Sequence, residues 1–169
     1  ALLPRLQAAL GDQSRLMRAT TLLAVRFALS SAGGDRLPAE SVRAFVGALA
    51  DADLTVRRAA LLLLNAAAHH RPAVLRGHLD GVLPLLYGET AKRAELIHTV
   101  DLGPFKHTVD DGTPSRKAAY EAMETLLETC ADQLQWAPFV ETLAAGIADE
   151  QDLRVHVHRM VIKLAASGA

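Results

Sequence analysis

Apolar residues recur along the chain at intervals of three, four and seven. Leu2, Leu3, Leu6 and Leu10 form one stripe, and Val42, Phe45, Val46 and Leu49 a second. Val82, Leu83, Leu85 and Leu86 form a third, and Phe139, Val140, Leu143 and Ile147 a fourth. Such intervals predict helices with one buried face. After each stripe comes a short acidic turn, then a second helix that opens with a basic residue and small apolar ones. These openings are Leu16-Met17-Arg18-Ala19, Val56-Arg57-Arg58-Ala59-Ala60, Ser115-Arg116-Lys117-Ala118-Ala119 and Leu153-Arg154-Val155-His156. Aligning Met17, Arg57, Arg116 and Arg154 gives spacings of 40, 59 and 38 residues. Two of them lie near the roughly 40-residue period of HEAT and armadillo repeats. The long one predicts an insertion of about 20 residues in one repeat.

The second helices are the more uniformly apolar. Ala59 to Ala68 is broken only by Asn65, so this helix is expected in the inner layer of a solenoid, flanked by both neighbouring repeats. Leu61, Leu64, Leu126, Leu127 and Ile162 are expected to be buried on these helices. The turns Gly11-Asp12, Asp51-Ala52-Asp53, Asp110-Asp111-Gly112 and Asp149-Glu150 place acids where they cap the following helix and meet its positive dipole end. The basic residues that follow are placed to pair with these carboxylates, in their own repeat or the next. Pro38 and Pro72 fall near helix starts, where proline is tolerated. Pro84 falls inside a helix and is expected to kink it. Gly33-Gly34 opens a loop between the first two repeats. The predicted fold class is all-α: a right-handed α-solenoid of about four helix pairs over residues 1–169, read as one array. The chain opens on Ala inside a helical pattern, as expected of a stretch of a longer array.

Between Glu89 and Gly112 the helical period stops. Ile97-His98-Thr99-Val100-Asp101-Leu102 and Phe105-Lys106-His107-Thr108-Val109-Asp110 flank Gly103-Pro104, and β-branched residues concentrate here. Two such runs around Gly-Pro predict a β-hairpin at about residues 96–111. Glycine at the first loop position suits a type II′ turn. That register pairs Leu102 with Phe105, Asp101 with Lys106, Val100 with His107, Thr99 with Thr108 and His98 with Val109. One face then carries Leu102, Phe105, Val100, His107, His98 and Val109. A lone hairpin is marginal in water. It either folds onto its own helices or projects as a recognition element with an exposed Phe105 at its tip. The second reading makes Val100, Leu102, Gly103, Pro104, Phe105, Lys106 and His107 the candidate protein-binding residues.

Composition narrows the function classes. The chain is 50% hydrophobic but only 4% aromatic, its apolar residues being mostly Ala and Leu, which points away from an all-β domain. With 18 basic and 19 acidic residues it lacks the basic footprint of a nucleic-acid binder. No apolar stretch approaches the roughly 20 residues of a membrane span, and no signal peptide opens the chain. The single cysteine, Cys130, allows no intrachain disulfide and reads as a buried thiol of an intracellular protein.

Catalytic chemistry finds little support. His69-His70 and His156/His158 lack the i, i+4 spacing of a helical zinc motif, and His98 and His107 share a hairpin face without a carboxylate or thiolate. Gly33-Gly34 has neither the spacing nor the lysine of a phosphate loop. Serines lie in turns and at helix ends, and Trp136 reads as a packing anchor. The expectation is a non-enzyme with no cofactor, no metal and no small-molecule substrate.

Three stretches carry a family resemblance: Asn65-Ala66-Ala67-Ala68-His69, Leu83-Pro84-Leu85-Leu86-Tyr87-Gly88-Glu89-Thr90 and Gly103-Pro104-Phe105-Lys106-His107-Thr108-Val109-Asp110-Asp111-Gly112, the last followed by Arg116-Lys117-Ala118-Ala119. They resemble the C-terminal HEAT-repeat region of the cullin-associated, neddylation-dissociated (Cand) family. The resemblance is strongest from about Asp53 to Cys130. It implies a cytoplasmic and nuclear scaffold that wraps unneddylated cullin–RING assemblies and takes part in SCF complex assembly in the ubiquitin conjugation pathway. It also implies that these repeats grip the cullin N-terminal domain, with the hairpin in the site where the substrate-receptor adaptor docks. Two other helical-repeat classes fit the chain less well. Nuclear-transport receptors use acidic inner surfaces, unlike this near-neutral chain, and phosphatase scaffolds have regular repeats of about 39 residues without a hairpin.

Overall fold

The computed structural model describes residues 2–31, 36–101, 103 and 105–167. Gly33-Gly34, Leu102 and Pro104 lie outside the described residues. The first helix pair is α1 (Leu2–Ala9) and α2 (Arg15–Leu29), and the second α3 (Ala39–Val46) and α4 (Leu54–His70). A short α5 (Pro72–Leu75) leads into α6 (Leu79–Gly88). The strands β1 (Ile97–Asp101) and β2 (Lys106–Asp110) then intervene before α7 (Thr113–Thr129). The last pair is α8 (Trp136–Gly146) and α9 (Gln151–Ser167). The chain is thus all-α with one two-stranded antiparallel sheet among the described residues, in the predicted order. No helix among them is long and apolar enough to cross a membrane.

Each second helix starts where its turn supplies acceptors. Asp53 caps α4, its Oδ1 accepting from the backbone N–H groups of Thr55 at 2.8 Å and Val56 at 3.3 Å. Ser14 caps α2 through Met17 N–H. Helix α4 stops at Arg71, where Pro72 follows and disfavours helical backbone. Proline is accommodated elsewhere too: Pro38 precedes α3 and Pro72 opens α5, while α6 runs through Pro84.

The core lies between the second helices, with α4 packed on α2 on one side and on α7 on the other. Ala19, Ala59, Ala60, Ala67, Ala68, Ala118, Ala119 and Ala122 are buried there. Small side chains let helix axes approach closely, so that leucines from both sides interlock. Leu61, Leu64 and Leu126 are fully buried and Leu127 nearly so. Phe45 and Phe139 anchor the first helices from the outer layer.

Three expectations need correction. Ile162 is 66% exposed rather than buried, because no helix among the described residues packs over its side of α9. Val140 of α8, Ile147 just after it, Leu85 of α6 and Leu2 of α1 are also exposed, so those stripes are narrower than their spacing predicts. Helix α4 is not covered all round either. Leu62, Asn65 and Ala66 form a half-buried strip, with Asn65 accepting a hydrogen bond from Thr125 Oγ1 at 2.6 Å.

Candidate protein-interaction site

The hairpin forms in the predicted register. Asp101 faces Lys106, Val100 faces His107, Thr99 faces Thr108 and His98 faces Val109, with Ile97 and Asp110 closing the base. Gly103 has φ +78°, the sign a II′ loop demands at its first position and one that L side chains rarely adopt. Neither strand contains a fully buried residue. Val100 and Val109 are half-buried, while Asp101, Lys106, His107 and Thr108 are exposed. Phe105 is 74% exposed. Of the candidate binding residues, Phe105, Lys106 and His107 therefore lie in solvent, Val100 turns partly inward, Gly103 shapes the loop, and Leu102 and Pro104 are not described.

Both feet of the hairpin are held by arginines. At the first, Arg93 donates to Glu89 Oε1 at 2.6 Å, and Arg57 Nε donates to the same oxygen at 2.9 Å. Glu89 is only 6% exposed. At the second foot, Asp110 Oδ1 accepts from Gly112 N–H at 2.8 Å and Oδ2 from Arg116 Nη1 at 2.9 Å. Asp111 N–H donates to Leu96 O at 3.0 Å, tying the two feet together. Burial pushes the Asp110 carboxyl up, but the Gly112 N–H and the Arg116 guanidinium outweigh it and hold it below the usual carboxylate range. His98 lies 3.6 Å from Asp111, so a carboxylate does approach that face, from beyond the strand.

Arg57 and Arg116 belong to a ladder that runs through the array. Arg18 Nε donates to Asp51 Oδ2 at 2.7 Å, with Nη2 on the other oxygen at 2.9 Å. Arg116 Nε donates to Asp149 Oδ2 at 3.0 Å. Arg18, Arg57 and Arg116 thus each reach a carboxylate of the next repeat through Nε. Arg18 and Arg57 also hold their own turns: Arg18 Nη1 donates to the carbonyls of Asp12 and Gln13, Arg57 Nη1 to those of Asp51 and Ala52. The equivalent of Arg57 is therefore Arg18, one residue beyond the Met17 of the sequence alignment. The repeat spacing predicts this pairing between neighbouring repeats. It does not single out Glu89 as an acceptor or Arg93 as a second donor, although arginines at that spacing are the signal. Guanidinium–carboxylate forks in this setting are directional and lose little to water, unlike exposed pairs.

Beside the first foot a cleft of about 710 Å³ is lined by Tyr87, Thr90, Lys92, Tyr120, Pro138 and Thr142. The Tyr87 hydroxyl is buried there without a hydrogen-bond partner among the described residues, and burial pushes its pKa up to about 12. Cys130 is fully buried at the end of α7. Trp136 opens α8, half packed against Phe139 with ring centroids 6.1 Å apart.

This arrangement defines a helical-repeat protein of HEAT type whose third helix pair carries a braced, outward-standing hairpin. A chain of the Rix1–Rea1 pre-60S particle shares the fold, with a TM-score of 0.64, 15% identity, and coverage of 98% of this chain and 64% of that one. The family model described as TATA-binding protein interacting (TIP20) matches residues 74–168. Cullin-associated NEDD8-dissociated protein 2 of Rattus norvegicus is 43% identical over 98% of this chain and 13% of its own length. The protein 1 counterpart of Dictyostelium discoideum is 41% identical over 98% of this chain and 14% of its own length. The C-terminal part of the Emericella nidulans protein 1 is 38% identical over 97% of this chain and 16% of its own length. The chain belongs to the cullin-associated, NEDD8-dissociated family and spans about an eighth of the length of such relatives.

Proposed function

We propose that this chain is a non-catalytic docking segment that binds the N-terminal domain of an unneddylated cullin. Its hairpin occupies the surface where the substrate-receptor adaptor docks, so that binding and adaptor retention exclude each other. The segment thereby serves receptor exchange and SCF assembly in the ubiquitin pathway of cytoplasm and nucleus. The observation that carries this reading is the hairpin itself: 74% exposed Phe105 on an arm whose strands hold no fully buried residue, with both feet fixed by guanidinium pairs. An arm fixed at its base and bare at its tip loses little conformational entropy on binding. The printed names of the relatives supply the class of partner, and no catalytic step is assigned.

Phe105 is the anchor in this reading, since buried aromatics dominate interface energies. Phe105→Ala is expected to weaken binding to an isolated cullin N-terminal domain by more than ~2 kcal/mol, about thirtyfold. The measurement is a fluorescence or calorimetric titration of wild type and variant. An unchanged affinity removes the hairpin from the interface.

A further inference from the structure

The cleft beside the first foot of the hairpin takes no part in bracing the arm. It lies among α6, α7 and α8, between the third and fourth helix pairs, with Tyr87, Tyr120, Pro138, Ala145 and Ala148 on its walls. Its volume of about 710 Å³ is that of a pocket able to enclose a sizeable apolar group. The walls are set by packing. Tyr120 is 1% exposed and lies so close to α8 that a Cβ at Gly146 would stand 2.5 Å from its hydroxyl oxygen. The Tyr87 ring meets Phe139 edge-on, with centroids 6.4 Å apart and planes at 76°. Thr90 and Thr142 spend their hydroxyl hydrogens on the carbonyls of Tyr87 at 2.7 Å and Pro138 at 2.8 Å. What the hollow offers is therefore apolar and aromatic surface, which suits an aromatic side chain.

The same chain carries such a side chain bare at the tip of the arm, Phe105. Charges beside the two features are complementary. Lys106 adjoins Phe105 and is exposed, Glu141 on the cleft rim is exposed, and neither makes an ion pair among the described residues. Asp101, opposite Lys106 on the arm, has the sign that suits Lys92 on the same rim. Tip and cleft lie at opposite ends of one arm, whose five-residue strands span about 17 Å at roughly 3.4 Å per residue. Two arms laid side by side and antiparallel bring each tip to the other's foot.

We propose that the cleft is a docking site for the hairpin tip of a second copy of this chain, with Phe105 of each copy seated between Tyr87 and Tyr120 of the other. Lys106 then meets Glu141, and Asp101 meets Lys92. The exchange is reciprocal, so it closes as a two-fold dimer. A copy paired in this way has no bare Phe105 to offer another partner. The pairing uses only the arm and the cleft, and does not depend on the cullin reading.

Sedimentation velocity of the chain over a range of concentrations tests it. Wild type is expected to pass from monomer to dimer as concentration rises, and to go no further. Phe105→Ala removes the occupant, and Ala145→Trp, at an exposed position of α8, fills the cleft; each is expected to weaken dimerisation about tenfold or more. Lys106→Glu and Glu141→Lys are each expected to weaken it as well, most at low salt, and the chain carrying both should dimerise as wild type does, because every junction again pairs opposite charges. Circular dichroism confirms that each variant is folded. Wild type that stays monomeric or grows beyond a dimer, dimerisation that ignores Phe105→Ala and Ala145→Trp, or a double charge exchange that fails to restore it overturns the proposal.

Discussion

Arg116 offers the sharpest test of how the hairpin is held. Its side chain is 1% exposed and donates to Asp110 at 2.9 Å and to Asp149 at 3.0 and 3.1 Å. Those two carboxylates have side-chain exposures of 6% and 7%, so neither finds water if the arginine is removed. Taking out one partner of a buried pair leaves uncompensated charge and costs about 3–5 kcal/mol. Arg116→Ala strands two carboxylates, so the upper half of that range is expected. Arg116→Lys keeps the charge but not the fork, and should recover less than half of the loss. The assay is urea unfolding followed by circular dichroism, with native-state hydrogen exchange of the β2 amides alongside. Exchange at Lys106 to Asp110 should accelerate by more than that of the α2 amides, since the second foot is released first. A double-mutant cycle with Asp149→Asn should return a coupling above ~1 kcal/mol. A loss below ~1 kcal/mol for Arg116→Ala, or exchange that rises evenly across the chain, would refute the bracing argument.

Two further outcomes follow from packing and charge. Leu64→Ala, at a site fully buried between α2 and α7, should lower stability by about 2–5 kcal/mol, with loosening of both neighbouring helices; a urea midpoint within error of wild type contradicts the assigned core. Asp51, held by its bond to Arg18, and Asp110 both have folded-state pKa values below the ordinary carboxylate value. Their contribution is complete above about pH 5 and is lost as pH falls through those depressed values, so the urea midpoint should drop from pH 5 towards pH 3 and drop less in Asp110→Asn. A midpoint that stays level over that interval argues that these carboxylates are not paired as described.

Much of this architecture could be read from residue order because local and global signals agree. The hairpin register follows from Gly103-Pro104 fixing the loop, after which Thr99–Thr108 and Asp101–Lys106 fall opposite each other. The four helix pairs follow from apolar stripes separated by acidic turns. Burial on α9 is less legible. Ile162 sits on an apolar-looking helix, and its periodicity is that of a buried residue, but whether a helical face is covered depends on a neighbour that the residue's own period does not encode. The one-residue offset between Met17 and Arg18 has a similar origin. An apolar pattern tolerates a slip of one position, whereas a guanidinium that must reach the carbonyls of Asp12 and Gln13 does not. Glu89 escaped because the insertion separates it from the acidic turn Asp110-Asp111 that continues the turn pattern. The structure divides the acceptor role there, giving Glu89 to Arg57 and Asp110 to Arg116.

The proposed exchange function rests on the hairpin and the adaptor sharing one surface. The direct measurement is displacement of labelled adaptor from a preformed cullin N-terminal domain complex, by wild type and by a variant with residues 98–109 replaced by a short Gly-Ser loop. The replacement keeps Asp110 as the partner of Arg116, and neither strand contains a fully buried residue. Wild type should release adaptor in a concentration-dependent manner, and the variant should bind the cullin domain without releasing it. Equal displacement by both proteins would contradict the account.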